Sequence, residues 1–409
     1  MYGSKEDIRH NMKMFFIDGI TFMPSMALIS ITAVVPYFMD QLGASTFQIA
    51  LATAMTMICA LIMQPFFGYI ASRAKIMHKT FAGILLMQRL SLLLFILLIP
   101  LFAENHPALI NVFLVFWCVF NIFVGSYAVF FTPLIIRLLP PDKRGTLRGY
   151  GLAIGSFIGV GMSALIPIIL SRIALPYNYM VIFALGAFFL FINVIIFYSM
   201  RQSKDFVPNE PMSMKEYITQ MPLIIKNNLP FRSLIYTCLF LAIANAVLPF
   251  YTLYALREFL ATETHLAILA GLAVLATAIG NITFGYVIDR FGPRMVAVIS
   301  ACLLITAGII VLTINSLYAL FIAWSFANIC NIGTLQSAQL LFAEVSPQTK
   351  IPLYVGVYTI ISMAISAVIV LLLAPVLEGI GFIPIFTMIL ACGIISLLIN
   401  IFILRKRLL

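Results

Sequence analysis

Long apolar runs separated by polar gaps recur twelve times along this 409-residue chain. They fall at 14–39, 46–72, 80–102, 108–136, 148–171, 179–200, 233–256, 264–288, 295–315, 317–342, 353–376 and 382–404. A helix rises about 1.5 Å per residue, so about 20 residues cross a hydrocarbon core of about 30 Å. Every run meets that length. None alternates with the period of two that a lipid-facing strand requires, and in lipid a helix satisfies its own backbone groups. The pattern predicts an all-α membrane protein with twelve transmembrane helices. The longest polar stretch, Arg201 to Asn228, divides them six and six. Three regions are expected: an N-terminal six-helix bundle over 1–200, a cytoplasmic linker over 201–230, and a C-terminal six-helix bundle over 231–409. Within the linker, Met212 to Ile225 has amphipathic character and reads as a surface helix or as a flexible tether.

Composition agrees with this pattern: 63% of residues are hydrophobic and 9% charged, against about 25% charged in soluble domains. A net charge of +10 would suit a nucleic-acid binder, but its placement excludes that reading. Of the 24 Lys and Arg residues, 21 lie in the even-numbered gaps or the two ends, counting Arg148 at the edge of run 5. Only Arg172 and Arg257 lie in odd gaps, which instead carry Asp40, Glu104, Glu258, Glu263 and Glu378; Arg89 lies inside a helix. Basic loops stay on the cytoplasmic side. A multi-pass protein of the cell membrane with both termini in the cytoplasm is therefore expected. The first run is too long for a signal-peptide core, so no cleavable signal is expected. The six cysteines all fall in apolar runs and read as small buried hydrophobes. The four histidines have no partner at metal-ligand spacing. No cofactor or metal is expected, and no nucleophile, base and metal come together as an enzyme would need.

The two halves echo each other. Ala33-Val34-Val35-Pro36-Tyr37-Phe38 in run 1 matches Ala246-Val247-Leu248-Pro249-Phe250-Tyr251 in run 7. Gln64-Pro65-Phe66-Phe67-Gly68-Tyr69 matches Asn281-Ile282-Thr283-Phe284-Gly285-Tyr286, and Pro141-Asp142-Lys143-Arg144 matches Pro347-Gln348-Thr349-Lys350. The offsets are 213, 217 and 206, in the same helix order. This predicts duplication of a six-helix unit, a known transporter plan.

The loop after run 8 reads Gly285-Tyr286-Val287-Ile288-Asp289-Arg290-Phe291-Gly292-Pro293-Arg294. It resembles the Gly-x-x-x-Asp-Arg-x-Gly-x-Arg signature loop of the major facilitator superfamily. Its counterpart after run 2 keeps Gly68 and Arg73 but has Ser72 in the acidic place and Lys75 in the second glycine place. With twelve helices and a central cytoplasmic loop, the resemblance covers the whole chain. It implies that family's fold and secondary transport by alternating access. In the motif itself, Gly285 would allow close helix approach, and Asp289 would pair with a basic residue or a helix N-terminus and hold a gate closed. Gly68, Arg73, Arg290, Gly292 and Arg294 would complete that gate, or the arginines would only anchor the loops.

Ionisable groups inside the span are few. Arg89 lies about 15 Å along its helix from Lys79, placed to meet Asp18, to attract an anionic solute, or to brace the bundle. Asp18, one turn inside run 1, is the candidate for proton coupling, or a carboxylate at the water boundary. Asn121, Gly125, Ser126 and Tyr127 lie midway along run 4; Asn328, Asn331, Thr334 and Gln336 lie midway along run 10; Asn245 is central in run 7. The resemblance places helices 1, 4, 7 and 10 around a central cavity, which makes these amides and Tyr127 substrate hydrogen-bonders. The other reading is interhelical amide bonding, about 0.6–2 kcal/mol each. In run 5, Gly151, Gly155 and Gly159 share one face suited to close packing, while the Gly-Pro pair of exporters is missing and Pro167 comes later. These features predict a secondary active or facilitative transporter of a small amphipathic organic solute, working as a monomer in the bilayer, with protons as candidate coupling ion and export preferred. The alternatives are an importer of an anionic nutrient countered by Arg89, and a lipid-handling member of the same fold.

Overall fold

The computed structural model describes residues 4–202, 219, 223–226, 228–344 and 351–405. The expected linker helix at Met212–Ile225 lies largely outside the described residues. All regular structure among the described residues is helical. In chain order the helices are α1 Lys5–Leu28, α2 Val34–Gln41, α3 Thr46–Arg73, α4 Met77–Leu98, α5 His106–Val124, α6 Ser126–Leu138, α7 Pro141–Arg172 and α8 Tyr177–Ser199. They continue with α9 Leu229–Ala246, α10 Leu248–Phe259, α11 Glu263–Phe291, α12 Pro293–Thr313, α13 Leu317–Glu344, α14 Ile351–Ile380 and α15 Ile383–Arg405. Among the described residues, eleven stretches are long and apolar enough to cross a membrane. The first expected run is not among them.

Three apolar runs expected as single helices are each two helices end to end. Run 1 breaks between α1 and α2, where Ser30 Oγ accepts the Ala33 N–H at 3.2 Å and Ser30 O accepts from Val35 at 2.9 Å. Run 7 breaks at Val247, between α9 and α10. Run 4 bends at Gly125, between α5 and α6. One feature is shared by the breaks in runs 1 and 7: Pro36 and Pro249 lack a backbone donor and suit the first turn of a helix. Each sits in the first turn of the second segment. The echoed Ala-Val-x-Pro sequences thus mark breaks, not helix ends.

The chain clusters into two compact units. One comprises Met1–Ser45, Met55–Met214 and Glu263–Val274; the other comprises Thr46–Ala54, Lys215–Thr262 and Leu275–Leu409. In the first, α1 packs on α7 and α8, and α4 packs on α8 and α5. In the second, α9 packs on α14 and α15, and α12 packs on α15 and α13. Counted by apolar run, these are the same pairings shifted by six, as duplication requires.

The α1–α7 contact is made by glycines. A Cβ on Gly151 would lie 2.8 Å from the Phe16 carbonyl oxygen, and one on Gly19 would lie 2.8 Å from the Gly151 carbonyl carbon. One on Gly155 would press on the Gly19 and Ile20 carbonyls. Backbone meets backbone here, the close approach that small residues permit in lipid. Gly161, off that face, has nothing within 4 Å among the described residues.

The end of α8 is tied back to α1. Asn11 donates to the Arg201 carbonyl at 2.8 Å and accepts from its N–H at 2.9 Å, and His10 bonds the Ser199 carbonyl at 2.8 Å. Gln202 accepts from the Met77 N–H and donates to the Lys75 carbonyl, both at 3.1 Å. The chain therefore stays fastened to the first unit two residues past the expected domain end at 200.

Large apolar side chains such as Phe157, Phe188 and Ile195 are more than 60% exposed. Exposure on that scale belongs to a lipid-facing surface, not to a soluble one. The cysteines depart in part from expectation. Cys238, Cys330 and Cys392 are buried, but Cys302 is exposed and Cys59 and Cys118 are half-buried, their sulfurs 3.5 Å apart.

Candidate functional site

In the first unit the buried charge is Arg89, fully enclosed in α4. Its Nε donates to the Leu190 carbonyl on α8 at 3.3 Å, and Nη2 donates to the Tyr127 hydroxyl on α6 at 2.7 Å. Nη1 donates to Gln88 Oε1, and Gln88 Nε2 in turn reaches the Phe120 carbonyl at 3.2 Å. The guanidinium also lies 5.9 Å from the centre of the Tyr127 ring. Each nitrogen is thus committed to a protein acceptor, and the network joins α4, α5, α6 and α8 around the Gly125 bend. Tyr127, expected to face a solute, is the acceptor of this brace.

Asp18 is buried on α1. Asn193 on α8 donates to its Oδ1 at 3.0 Å and to Thr21 Oγ1 at 2.8 Å. Asp18 and Arg89 are the only buried acid and the only buried Lys or Arg among the described residues.

Asn121 and Asn328 both turn inward and bond their own helix. Each Nδ2 donates to the carbonyl four residues back, Trp117 at 2.8 Å and Trp324 at 2.9 Å. Among the described residues, neither makes the interhelical bond that amide glue would require. The parallel exposes a repeat missed in the sequence. The chain has two tryptophans, each followed four residues on by one of these asparagines, at an offset of 207. Both indoles are buried: Trp117 stacks on Phe113 and Phe120, and Trp324 meets Tyr251 at 5.9 Å.

In the second unit, Asn245 is the penultimate residue of α9, next to the Val247 break. Its Nδ2 donates to Thr334 Oγ1 on α13 at 3.1 Å, and Thr334 donates to the Cys330 carbonyl at 2.8 Å. Asn245 Oδ1 is buried with no hydrogen-bond partner among the described residues. The Tyr251 hydroxyl, just past the break, is likewise fully buried and unpartnered. Gln336 Nε2 donates to Asn281 Oδ1 at 2.7 Å, while Gln336 Oε1 has no partner. Asn331 is exposed on the same helix.

The loop motif holds a different set of contacts from those expected. Arg290 Nη1 donates to the Tyr286 hydroxyl at 2.7 Å, four residues back on α11. Arg73 lies 4.4 Å over the Tyr69 ring, four residues back on α3. Both arginines fold onto their own helices at matching places in the repeat. Gly292 has φ of 81°, a left-handed turn residue between α11 and α12, which explains its glycine. Gly285 has no atom near its Cβ direction among the described residues, and Gly68 has only a Val129 methyl at 3.9 Å. Close helix approach among those residues therefore does not account for either glycine. Arg294 is half-buried, and the Asp289 side chain lies outside the described residues.

Among the described residues, no three metal-ligating side chains come together. No curated protein matches the sequence. Solved structures of the same fold include the nucleoside transporter NupG (D323A mutant), 13% identical with a TM-score of 0.69 over 96% of this chain and 98% of that one. The human organic anion transporter MFSD10 (TETRAN) matches at 13% identity and a TM-score of 0.64, over 96% and 99%. A bacterial homologue of the iron transporter ferroportin, in an outward-facing state, matches at 13% and 0.64, over 96% and 98%. At this identity the likeness is one of fold. The sequence profile described as Major Facilitator Superfamily matches residues 17–256 and again 232–408, and with the twelve apolar runs and duplicated helix pairings this shows that the chain belongs to the major facilitator superfamily of membrane transporters.

Proposed function

We propose that this chain is a secondary transporter that moves a small, uncharged or amphipathic organic solute across the cell membrane by alternating access, with export as the preferred direction. One observation carries the substrate class. The buried polar atoms left without partners beside the run 7 break are neutral: Asn245 Oδ1 and the Tyr251 hydroxyl, with Gln336 Oε1 further along α13. Buried polar atoms that find no protein partner are free to bond a solute, and an unpaired amide costs stability until it does. The buried charges, by contrast, are engaged: Arg89 by three acceptors and Asp18 by Asn193. A dense charged cage for an anionic nutrient is not supported by that arrangement. Asn245, Gln336 and Tyr251 are the proposed solute contacts, with the exposed Asn331 of α13 as a further candidate. Asn121 and Asn328 shape the helices through their tryptophan carbonyls, and Tyr127 serves the Arg89 brace. Gly292 sets the turn of the motif loop, and Asp289 with Arg294 are its proposed gate pair.

The test is a ligand-library thermal-shift screen on the purified protein, followed by uptake in proteoliposomes. A ligand present at about 100 times its dissociation constant stabilises the folded state by about 2.7 kcal/mol. Neutral or amphipathic hits whose shift falls in Asn245→Ala and Tyr251→Phe support the reading. Hits confined to organic anions, undiminished by those substitutions, overturn it.

A further inference from the structure

A cavity of about 360 Å³ opens in the first unit at the end away from the basic loops. That volume is within the range of small-molecule sites, about 300–1,000 Å³. It is walled by the C-terminal ends of α2 and α7, the start of α8 and the first residue of α11, and its lining includes Tyr37, Arg172, Asn178, Tyr179 and Glu263. Two features mark it as built for a ligand. The Tyr179 side chain is fully buried, yet its hydroxyl has no hydrogen-bond partner. Arg172 and Glu263 both line the cavity, and among the described residues neither forms an ion pair. Arg172 is also one of only two basic residues in the odd gaps, where loop charge alone gives no reason for it.

We propose that this cavity binds a small zwitterion, a molecule that carries both an ammonium and an acidic group. Arg172 takes the acidic group through its forked donors, and Glu263 takes the ammonium. The Tyr179 hydroxyl supplies a neutral hydrogen bond at the buried wall. A simple anion leaves Glu263 unmatched, and a simple cation leaves Arg172 unmatched. A free amino acid and a phosphatidylethanolamine headgroup share this chemistry. The site goes beyond the transport reading, since it can fill without any solute crossing.

Calorimetry on the full chain in phosphatidylglycerol nanodiscs tests the idea with leucine, N-acetylleucine, leucinamide and phosphoethanolamine as probes. Leucine or phosphoethanolamine should bind saturably, and each single-charge form about tenfold more weakly. Arg172→Gln should weaken zwitterion binding about tenfold and leave leucinamide unchanged. Glu263→Gln should do the reverse, sparing N-acetylleucine. Tyr179→Phe should weaken both zwitterions while the melting temperature of the empty protein stays the same or rises. Competition by phosphatidylethanolamine in the nanodisc would assign the site to lipid headgroups; no competition would assign it to free solutes. Equal binding of zwitterionic and single-charge forms, insensitivity to both charge substitutions, or no binding of any probe or of phosphatidylethanolamine overturns the proposal.

Discussion

Removing the Arg89 guanidinium would leave the Gln88 Oε1 and the Tyr127 hydroxyl without their donor and take a second donor from the Leu190 carbonyl. A buried polar group left unsatisfied costs about 1–3 kcal/mol. Arg89→Gln should therefore cost about 3 kcal/mol on that scale, read as a lower melting temperature in detergent with solute affinity unchanged. Arg89→Lys keeps the charge but not the fork, and should recover only part of the loss. Altered affinity at unchanged stability would instead make Arg89 a binding residue. Asp18 is held differently, with an amide of α8 donating to its Oδ1. If protons drive transport through it, Asp18→Asn removes the pH dependence of transport in proteoliposomes while solute still binds. PH dependence retained in that variant assigns the group to α1–α8 packing.

Between helices, the same residue type has opposite consequences according to the face it occupies. Gly155 lies against the carbonyls of Gly19 and Ile20, whereas Gly161 meets nothing within 4 Å among the described residues. Overpacking costs about 1–3 kcal/mol, so Gly155→Ala should destabilise the first unit by that amount, while Gly161→Ala should be neutral or gain up to about 1 kcal/mol of helix propensity. Comparing the two melting temperatures checks the assignment. This contact was legible in the sequence because the glycines repeat every four residues. Other features were not. Run lengths reveal apolar stretches but not breaks inside them, since a half-helix in lipid is as apolar as a whole one. Pro36 and Pro249 carried the signal, yet a proline after an apolar run fits a helix end equally well. The amides were found by depth, but depth says nothing of direction. Asn121 and Asn328 bond their own helices, while Asn245 reaches Thr334 across a packed pair. The arginine–tyrosine pairs of the motif loops were within reach, since Tyr69-Arg73 and Tyr286-Arg290 share the i, i+4 spacing that brings side chains together on a helix. The tryptophan–asparagine echo needed the repeat to be aligned at 207, one residue from the offset of 206 that the loop after run 4 suggested.

At the scale of the whole chain, orientation rests on charge rather than on any single contact. The even gaps hold Arg73, Lys75, Lys79, Arg290 and Arg294, while the odd gaps hold mainly acids. Moving such loops across a membrane is disfavoured for Lys and Arg and nearly indifferent for Asp and Glu. One basic residue would carry little weight, but the same sign of bias recurs in both halves of the duplicated chain. A parallel repeat keeps the two halves in the same orientation, so both must agree for either to insert stably. Arg172 and Arg257 run against the bias without reversing it. Arg257 is engaged by Thr46 Oγ1 at 3.0 Å, and a single odd-gap cation is outweighed by the loops on either side. Single cysteines placed at Gln41 and Glu258 in a cysteine-free background should react with an impermeant maleimide on intact cells. Cysteines at Lys75 and Arg290 should react only after permeabilisation. Labelling of Lys75 and Arg290 positions on intact cells, with Gln41 and Glu258 protected, would invert the orientation. It would also move the cavity at Arg172 and Glu263 to the cytoplasmic face, where its zwitterion would come from inside the cell.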